Sequence, residues 1–175
     1  MQNTFTDLLA SKEANKERDL SLFGRLVGEW DFDWSAPQEN GTLKTHKGEW
    51  VFSYVLEGNA VQDVFICPSR ATREADPDEQ AEYGTTFRLP LQDGSGKWQV
   101  LYACDQGRPF DRLTAEEKNG DIIQTGTPAD ESDTNIWRWN FRNITENTFY
   151  WEAVWSSDQG KTWNICCQLD ASRRK

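Results

Sequence analysis

Aromatic residues recur at every second position along this chain, and that spacing constrains its fold more than any other feature. The runs are Trp30-x-Phe32-x-Trp34, Trp50-x-Phe52-x-Tyr54, Trp137-x-Trp139-x-Phe141 and Phe149-x-Trp151-x-x-x-Trp155. Successive side chains on a β-strand point to opposite faces, so a period of two marks strands with one aromatic face. Nine Trp, nine Phe and four Tyr carry the pattern, and each ring buries roughly 150–250 Å². Rings of that size let a chain with only 37% hydrophobic residues build a large core. The expected class is all-β.

Turn chemistry divides the chain into ten expected strands, near 28–35, 42–56, 60–67, 83–89, 97–104, 108–116, 121–127, 134–142, 147–156 and 162–170. The breaks include Glu57-Gly58-Asn59, Asp93-Gly94-Ser95-Gly96, Asn119-Gly120-Asp121 and Asp158-Gln159-Gly160, all rich in residues that accept positive φ. Short connections make sequential strands antiparallel neighbours. About ten of them close into an up-and-down antiparallel β-barrel, which removes exposed sheet edges. Residues 68–82 are polar with two prolines and are expected to form a long loop. The first 27 residues lack Trp. Leu20, Phe23, Leu26 and Val27 fall at helical spacing there, so a short amphipathic helix is expected over 19–27, with Asp19 as N-cap and Gly28 as stop. A turn around Phe5, Leu8 and Leu9 is a second helical segment. The organisation expected is an N-terminal helical segment, 1–27, and a barrel, 28–175.

A chain of 175 residues suits one such domain. Its net charge of −10 argues against unaided binding to nucleic acid or an anionic membrane, which need clustered Lys and Arg. No signal-peptide h-region or membrane-length apolar run is visible. Cys67, Cys104, Cys166 and Cys167 lack the density of a secreted disulfide scaffold. The expectation is a cytoplasmic protein with four free thiols and no cofactor.

Gly28-Glu29-Trp30, opening the first strand after a short helix, resembles the Gly-x-Trp signature of lipocalin and related calycin barrels. More of the chain resembles a group of uncharacterised bacterial lipocalin-like domains. The matching pieces are Leu26–Trp30, Gly58–Phe65, Tyr83–Thr86, Arg138–Phe141 and Ser157–Trp163. The resemblance implies a calycin-type β-barrel and no agreed activity. Nitrobindins, haem-binding relatives of this architecture, use a His near the C-terminal part of the barrel. The single His here is His46, in the second expected strand, so the resemblance does not extend to haem.

Ser156-x-Asp158-x-Gly160-x-Thr162-Trp163 fits the Asp-box pattern S-x-D-x-G-x-T-W. One copy reads as a hairpin turn: Asp caps the turn, Gly takes positive φ, and Trp packs beneath. A hydrolytic triad needs a His or another base beside its nucleophile, and the one His lies in a Thr- and Lys-flanked strand, Thr45-His46-Lys47, which argues against a triad. Adjacent Cys166 and Cys167 face opposite sides of a strand and do not share a metal.

Placing the aromatic face inward puts Trp30, Phe32, Trp34, Trp50, Phe52, Tyr54, Trp98, Val100, Tyr102 and Cys104 inside. It does the same for Phe110, with Arg108 and Arg112, and for Trp137, Trp139, Phe141, Phe149, Trp151 and Trp155. Asp63 lies on a strand apolar on both faces, so its side chain faces either the interior or solvent. Inside, it needs a partner, and Arg112, Arg108 or a tyrosine hydroxyl can supply one. The expected ligand-binding residues are Trp34, Tyr54, Asp63, Tyr102, Arg112, Trp139 and Trp151. The expected partner is a small hydrophobic or aromatic molecule. Two alternatives stay open. One is a cofactor-independent isomerase, cyclase or decarboxylase with Asp63 as base and a tyrosine as acid. The other is a solid barrel that acts through its surface. The readings separate on whether the interior holds a cavity and whether Asp63 is in it.

Overall fold

The computed structural model describes residues 4–75, 77–78, 81–128 and 134–175. Within the loop over 68–82, residues 76 and 79–80 lie outside the described set, as do 1–3 of the N-terminal segment.

Ten antiparallel strands close a barrel: β2 (Gly28–Pro37), β3 (Leu43–Val55), β4 (Ala60–Cys67), β5 (Glu82–Pro90), β6 (Trp98–Cys104), β7 (Asp111–Lys118), β8 (Asp121–Gly126), β9 (Ile136–Arg142), β10 (Thr148–Ser156) and β11 (Asn164–Arg173). Each pairs with its neighbours in sequence, and β11 closes on β2 from Gln168↔Ser35 to Arg173↔Trp30. All ten strands coincide with the turn-delimited segments of the sequence. The β7–β8 connection is a two-residue hairpin in which Asn119 and Gly120 both take positive φ, 56° and 87°. That is the backbone a tight hairpin needs to match strand twist.

Before the barrel come α1 (Phe5–Leu9), β1 (Ala10–Ser11) and α2 (Ser21–Gly24). Thr4 and Asp7 form a capping box on α1, and β1 pairs with Val55 and Tyr54 of β3. The helix expected over 19–27 is shorter. After Gly24 the chain tightens into i→i+3 bonds, Leu26 N–H to Phe23 O at 3.0 Å and Val27 N–H to Gly24 O at 3.1 Å. Asp19 accepts from Ser21 N–H at 2.9 Å, one residue ahead of the cap position. The tighter turn carries Leu20, Phe23 and Leu26 into the barrel, all essentially buried.

These residues plug one end. Phe23 meets the edge of Trp98 at 5.1 Å and Phe141 at 6.3 Å. Trp30 Nε1–H donates to Leu26 O at 2.7 Å, and Arg173 lies 4.1 Å over the Trp30 ring while donating to Val27 O. Gly28, at φ 133°, has no room for a Cβ beside that guanidinium. The Gly28-x-Trp30 pair is therefore the joint where plug, first strand and last strand meet.

The inward faces follow the aromatic rule on most strands. Trp30, Phe32, Trp50, Phe52, Trp98, Val100, Tyr102, Phe141, Phe149 and Trp151 are buried. Glu29, Asp31 and Asp33 are exposed. Two expectations are corrected. On β7 the inner phase is Leu113 and Ala115, so Phe110 is 61% exposed and Arg112 faces outward. Trp155, at the end of β10 opposite Trp137 and just past a register shift at Ala153/Val154, is left 41% exposed. The Asp-box segment is the hairpin turn its pattern implies. Asp158 accepts from Lys161 N–H, Thr162 N–H and Thr162 Oγ1–H at 2.7–3.0 Å, and Trp163 Nε1–H donates to Gly160 O.

Candidate functional site

The interior is packed with rings around Trp50, which lies 5.0–5.3 Å from Phe52, Phe65 and Phe141 and 5.9 Å from Trp151. The packing stops short at the end opposite the plug. There a cavity of about 190 Å³ is lined by Trp50, Phe65, Glu82, Thr86, Arg88, Tyr102, Arg108, Gln124, Trp139, Trp151, Ala153 and Cys167. It lies where β4 ends, β5 begins, β6 ends and β11 begins. Glu82 and Arg108 are the lining residues nearest solvent and pair at 2.5 Å. Arg108 also donates to Cys104 Sγ at 3.4 Å.

Arg88 lies between cavity and plug. Its guanidinium sits 4.8 Å from the Phe23 ring and 5.4 Å from Phe52, and it is paired with Asp63, both side chains at 0–1% exposure. Asp63 also accepts from Thr86 N–H at 3.1 Å, directly across the β4–β5 ladder. The inner phase of Asp63 is thus resolved, and its partner is Arg88 rather than Arg112, Arg108 or a tyrosine. Burial pulls the Arg88 pKa down while Asp63 opposes the shift. Arginine starts so high that the group stays charged at neutral pH.

Tyr102 stands edge-on to Trp139 at 5.3 Å. Its ring occupies the space a Cβ at Gly84 would take. Burial pushes its phenol well above the ordinary value, so the hydroxyl keeps its proton and acts as a donor. Burial also raises the Cys67 thiol to about 12 and Cys167 to about 11.

Of the residues expected at a site, the structure brings Tyr102, Trp139 and Trp151 together in the cavity wall. Asp63 sits one layer behind, reaching the wall through Arg88. Trp34 lies outside the lining, stacked on His46 at 5.8 Å. Tyr54 lies toward the plug, its hydroxyl against Gly24. Arg112 is on the outer surface in a groove with Phe87, Leu101 and Phe110. Sequence reasoning did not single out Arg88, Gln124, Thr86 or Ala153 as site residues. The sequence signal for Arg88 was Gly84 on the same strand phase, beside a large ring.

His46 Nε2 and Asp78 share a hydrogen bond of 2.6 Å, and Lys44 pairs with the same carboxylate. Among the described residues no group of three His, Cys, Asp or Glu is arranged to hold a metal ion. None of the described helices is long and apolar enough to cross a membrane.

Buried polar atoms without a partner gather at the cavity. Among the described residues eight such side-chain atoms occur, and five belong to its wall: Trp50 Nε1, Trp151 Nε1, Arg88 Nε, Gln124 Oε1 and Tyr102 Oη, the last with the Glu82 carboxylate beside it.

No protein-family model and no curated protein matches the chain. Solved structures do. The S-type phycobiliprotein lyase CPES from Guillardia theta superposes with a TM-score of 0.56 at 15% identity, over 89% of this chain and 92% of that one. Rv2717c from M. tuberculosis superposes at 0.55 and 11% identity, over 93% of this chain and 100% of that one. Both are lipocalin-like barrels, and the likeness is one of fold.

Proposed function

We propose that this barrel binds a compact, flat small molecule in its interior cavity. One observation carries the reading: a void of about 190 Å³ whose aromatic wall holds four buried polar atoms with no partner, on Trp50, Arg88, Gln124 and Trp151. Buried polar groups are almost always satisfied in native proteins, and a cluster of exceptions calls for a missing partner. The volume suits one or two fused rings. A cavity of about 150 Å³ accepts benzene, whereas drug-sized ligands occupy roughly 300–1,000 Å³. A protein of the same fold is a phycobiliprotein lyase. The ligand and its cellular compartment, for which the cytoplasm is our working assignment, are part of the proposal.

The binding reading is favoured over acid–base catalysis because Asp63 is engaged by Arg88 and Thr86 and is not part of the cavity wall. The carboxylate that does reach the cavity, Glu82, is paired with Arg108.

The test is native mass spectrometry of the purified protein for a co-purified small molecule, with titrations of flat aromatic compounds followed by tryptophan quenching. Ala153→Leu places extra carbons in the void and should abolish binding while the fold persists by circular dichroism. Undiminished binding in a folded Ala153→Leu variant would place the ligand elsewhere and overturn the reading.

A further inference from the structure

The interior-binding reading leaves the ligand's chemistry open, and the unpaired atoms of the wall narrow it. Three are donors with no partner, the indole N–H groups of Trp50 and Trp151 and the Arg88 Nε–H, and a fourth donor, the Tyr102 hydroxyl, lies beside Glu82. The fifth, Gln124 Oε1, is an acceptor. Its identity is fixed by its own amide, because Gln124 Nε2–H donates to Trp139 O at 3.2 Å. Reversing the amide would set two carbonyl oxygens against each other. A matching ligand therefore presents an acceptor to these donors and one donor to Gln124.

Charge narrows the class further. The charged lining residues are already paired: Arg88 of the wall with Asp63 behind it, Arg108 with Glu82 at the mouth. Among the described residues no unpaired cation lines the void, so an anionic ligand would lose its water without gaining a counter-charge, which is costly. A plain hydrocarbon would fit the rings and leave the polar atoms of Trp50, Arg88, Gln124 and Trp151 unsatisfied.

We propose that the cavity selects neutral, flat lactams, heterocycles of one or two rings that carry an N–H beside a C=O. The carbonyl oxygen, with its two lone pairs, takes hydrogen bonds from two donors of the wall, the ring N–H donates to Gln124 Oε1, and the ring faces lie among Trp50, Trp139 and Trp151. This deepens the interior-binding reading and rests on it.

Isothermal titration calorimetry with four probes tests it: 2-quinolone, 1-methyl-2-quinolone, naphthalene and 2-naphthoate. 2-Quinolone should bind at least about tenfold more tightly than each of the other three, the yield of roughly one well-made hydrogen bond. Gln124→Met, which keeps the side chain's length and removes the acceptor, should erase the preference over the N-methyl compound. Tyr102→Phe should weaken 2-quinolone severalfold and leave naphthalene unchanged. Circular dichroism and urea unfolding establish that each variant is folded. If Gln124→Met does not fold, the Tyr102→Phe comparison decides.

Equal or tighter binding of naphthalene or 2-naphthoate overturns the lactam assignment. When Ala153→Leu also blocks that binding, the interior site itself survives. Failure of all four probes to bind overturns the assignment as well, and the interior site then stands or falls on the native mass spectrum. Binding that persists unchanged in Ala153→Leu overturns both.

Discussion

Breaking the Asp63–Arg88 pair should cost the barrel a large part of its stability. Both side chains are at 0–1% exposure. Asp63→Leu leaves the Arg88 guanidinium with no counter-charge, wedged between the Phe23 and Phe52 rings. Removing one partner of a buried pair costs about 3–5 kcal/mol. For a chain of this size each kcal/mol shifts Tm by about 2–4 °C, so the expected fall is about 6–20 °C. Arg88→Met should cost a similar amount by stranding Asp63 next to Thr86. Replacing both, Asp63→Leu with Arg88→Met, removes both desolvated charges and should recover most of the loss, because apolar replacements of buried pairs are often neutral or better. The assay is urea unfolding at pH 7 followed by tryptophan fluorescence, with all four proteins compared as a double-mutant cycle. A single-variant loss below about 1 kcal/mol, the worth of an exposed pair, would refute the burial argument. So would a double variant that loses the sum of the two singles.

Two further predictions concern titration and thiols. Glu49 accepts from Arg70 N–H, Nε–H and Nη2–H and from Arg174, and these bonds hold its pKa down at about 2. A depressed carboxylate contributes stability that is fully present above its ordinary value near 4.5 and lost as pH falls toward 2. Unfolding free energy measured across that window should fall less steeply in Glu49→Gln than in wild type, and equal slopes would rule the contribution out. Among the thiols, Cys166 is exposed while Cys67 is buried with its pKa near 12, so maleimide on the folded protein at pH 8 should modify Cys166 first and Cys67 last. Comparable rates for the two would contradict the packing of β4.

Strand existence was legible because two independent signals agreed along most of the barrel. Period-two rings marked the strand faces, and Gly- or Asn-containing turns marked the ends, so the hairpin at Asn119-Gly120 fell where its φ values demand it. The helix was less legible. Leu20, Phe23 and Leu26 do form one apolar face, but the spacing is equally served by a tight turn after Gly24, and only contact with Trp98 and Trp30 decides between them. On β7 the rule of turning rings inward failed. Phe110 precedes the strand and packs outside, while the small pair Leu113 and Ala115 occupies the interior.

The site was harder to read for a steric reason. A barrel that takes in this many rings must leave room for them, and the intervening strands do so by turning small or polar residues inward. The would-be Cβ positions of Gly48, Gly84 and Gly126 are occupied by the rings of Phe32, Tyr102 and Trp137. On β5 the inner face is Gly84, Thr86, Arg88 and Pro90, while the more apolar set, Phe87 and Leu89, faces out. Hydropathy alone therefore assigns β5 the wrong phase and hides Arg88. Gln124 is hidden likewise, two residues before Gly126 on β8. A glycine inside a strand next to an aromatic strand is the better guide, because it marks where a ring crosses. Gly84 read that way sets the phase of β5 from sequence, turns Thr86 and Arg88 inward, and leaves Arg88 as the nearest cation for the carboxylate of Asp63.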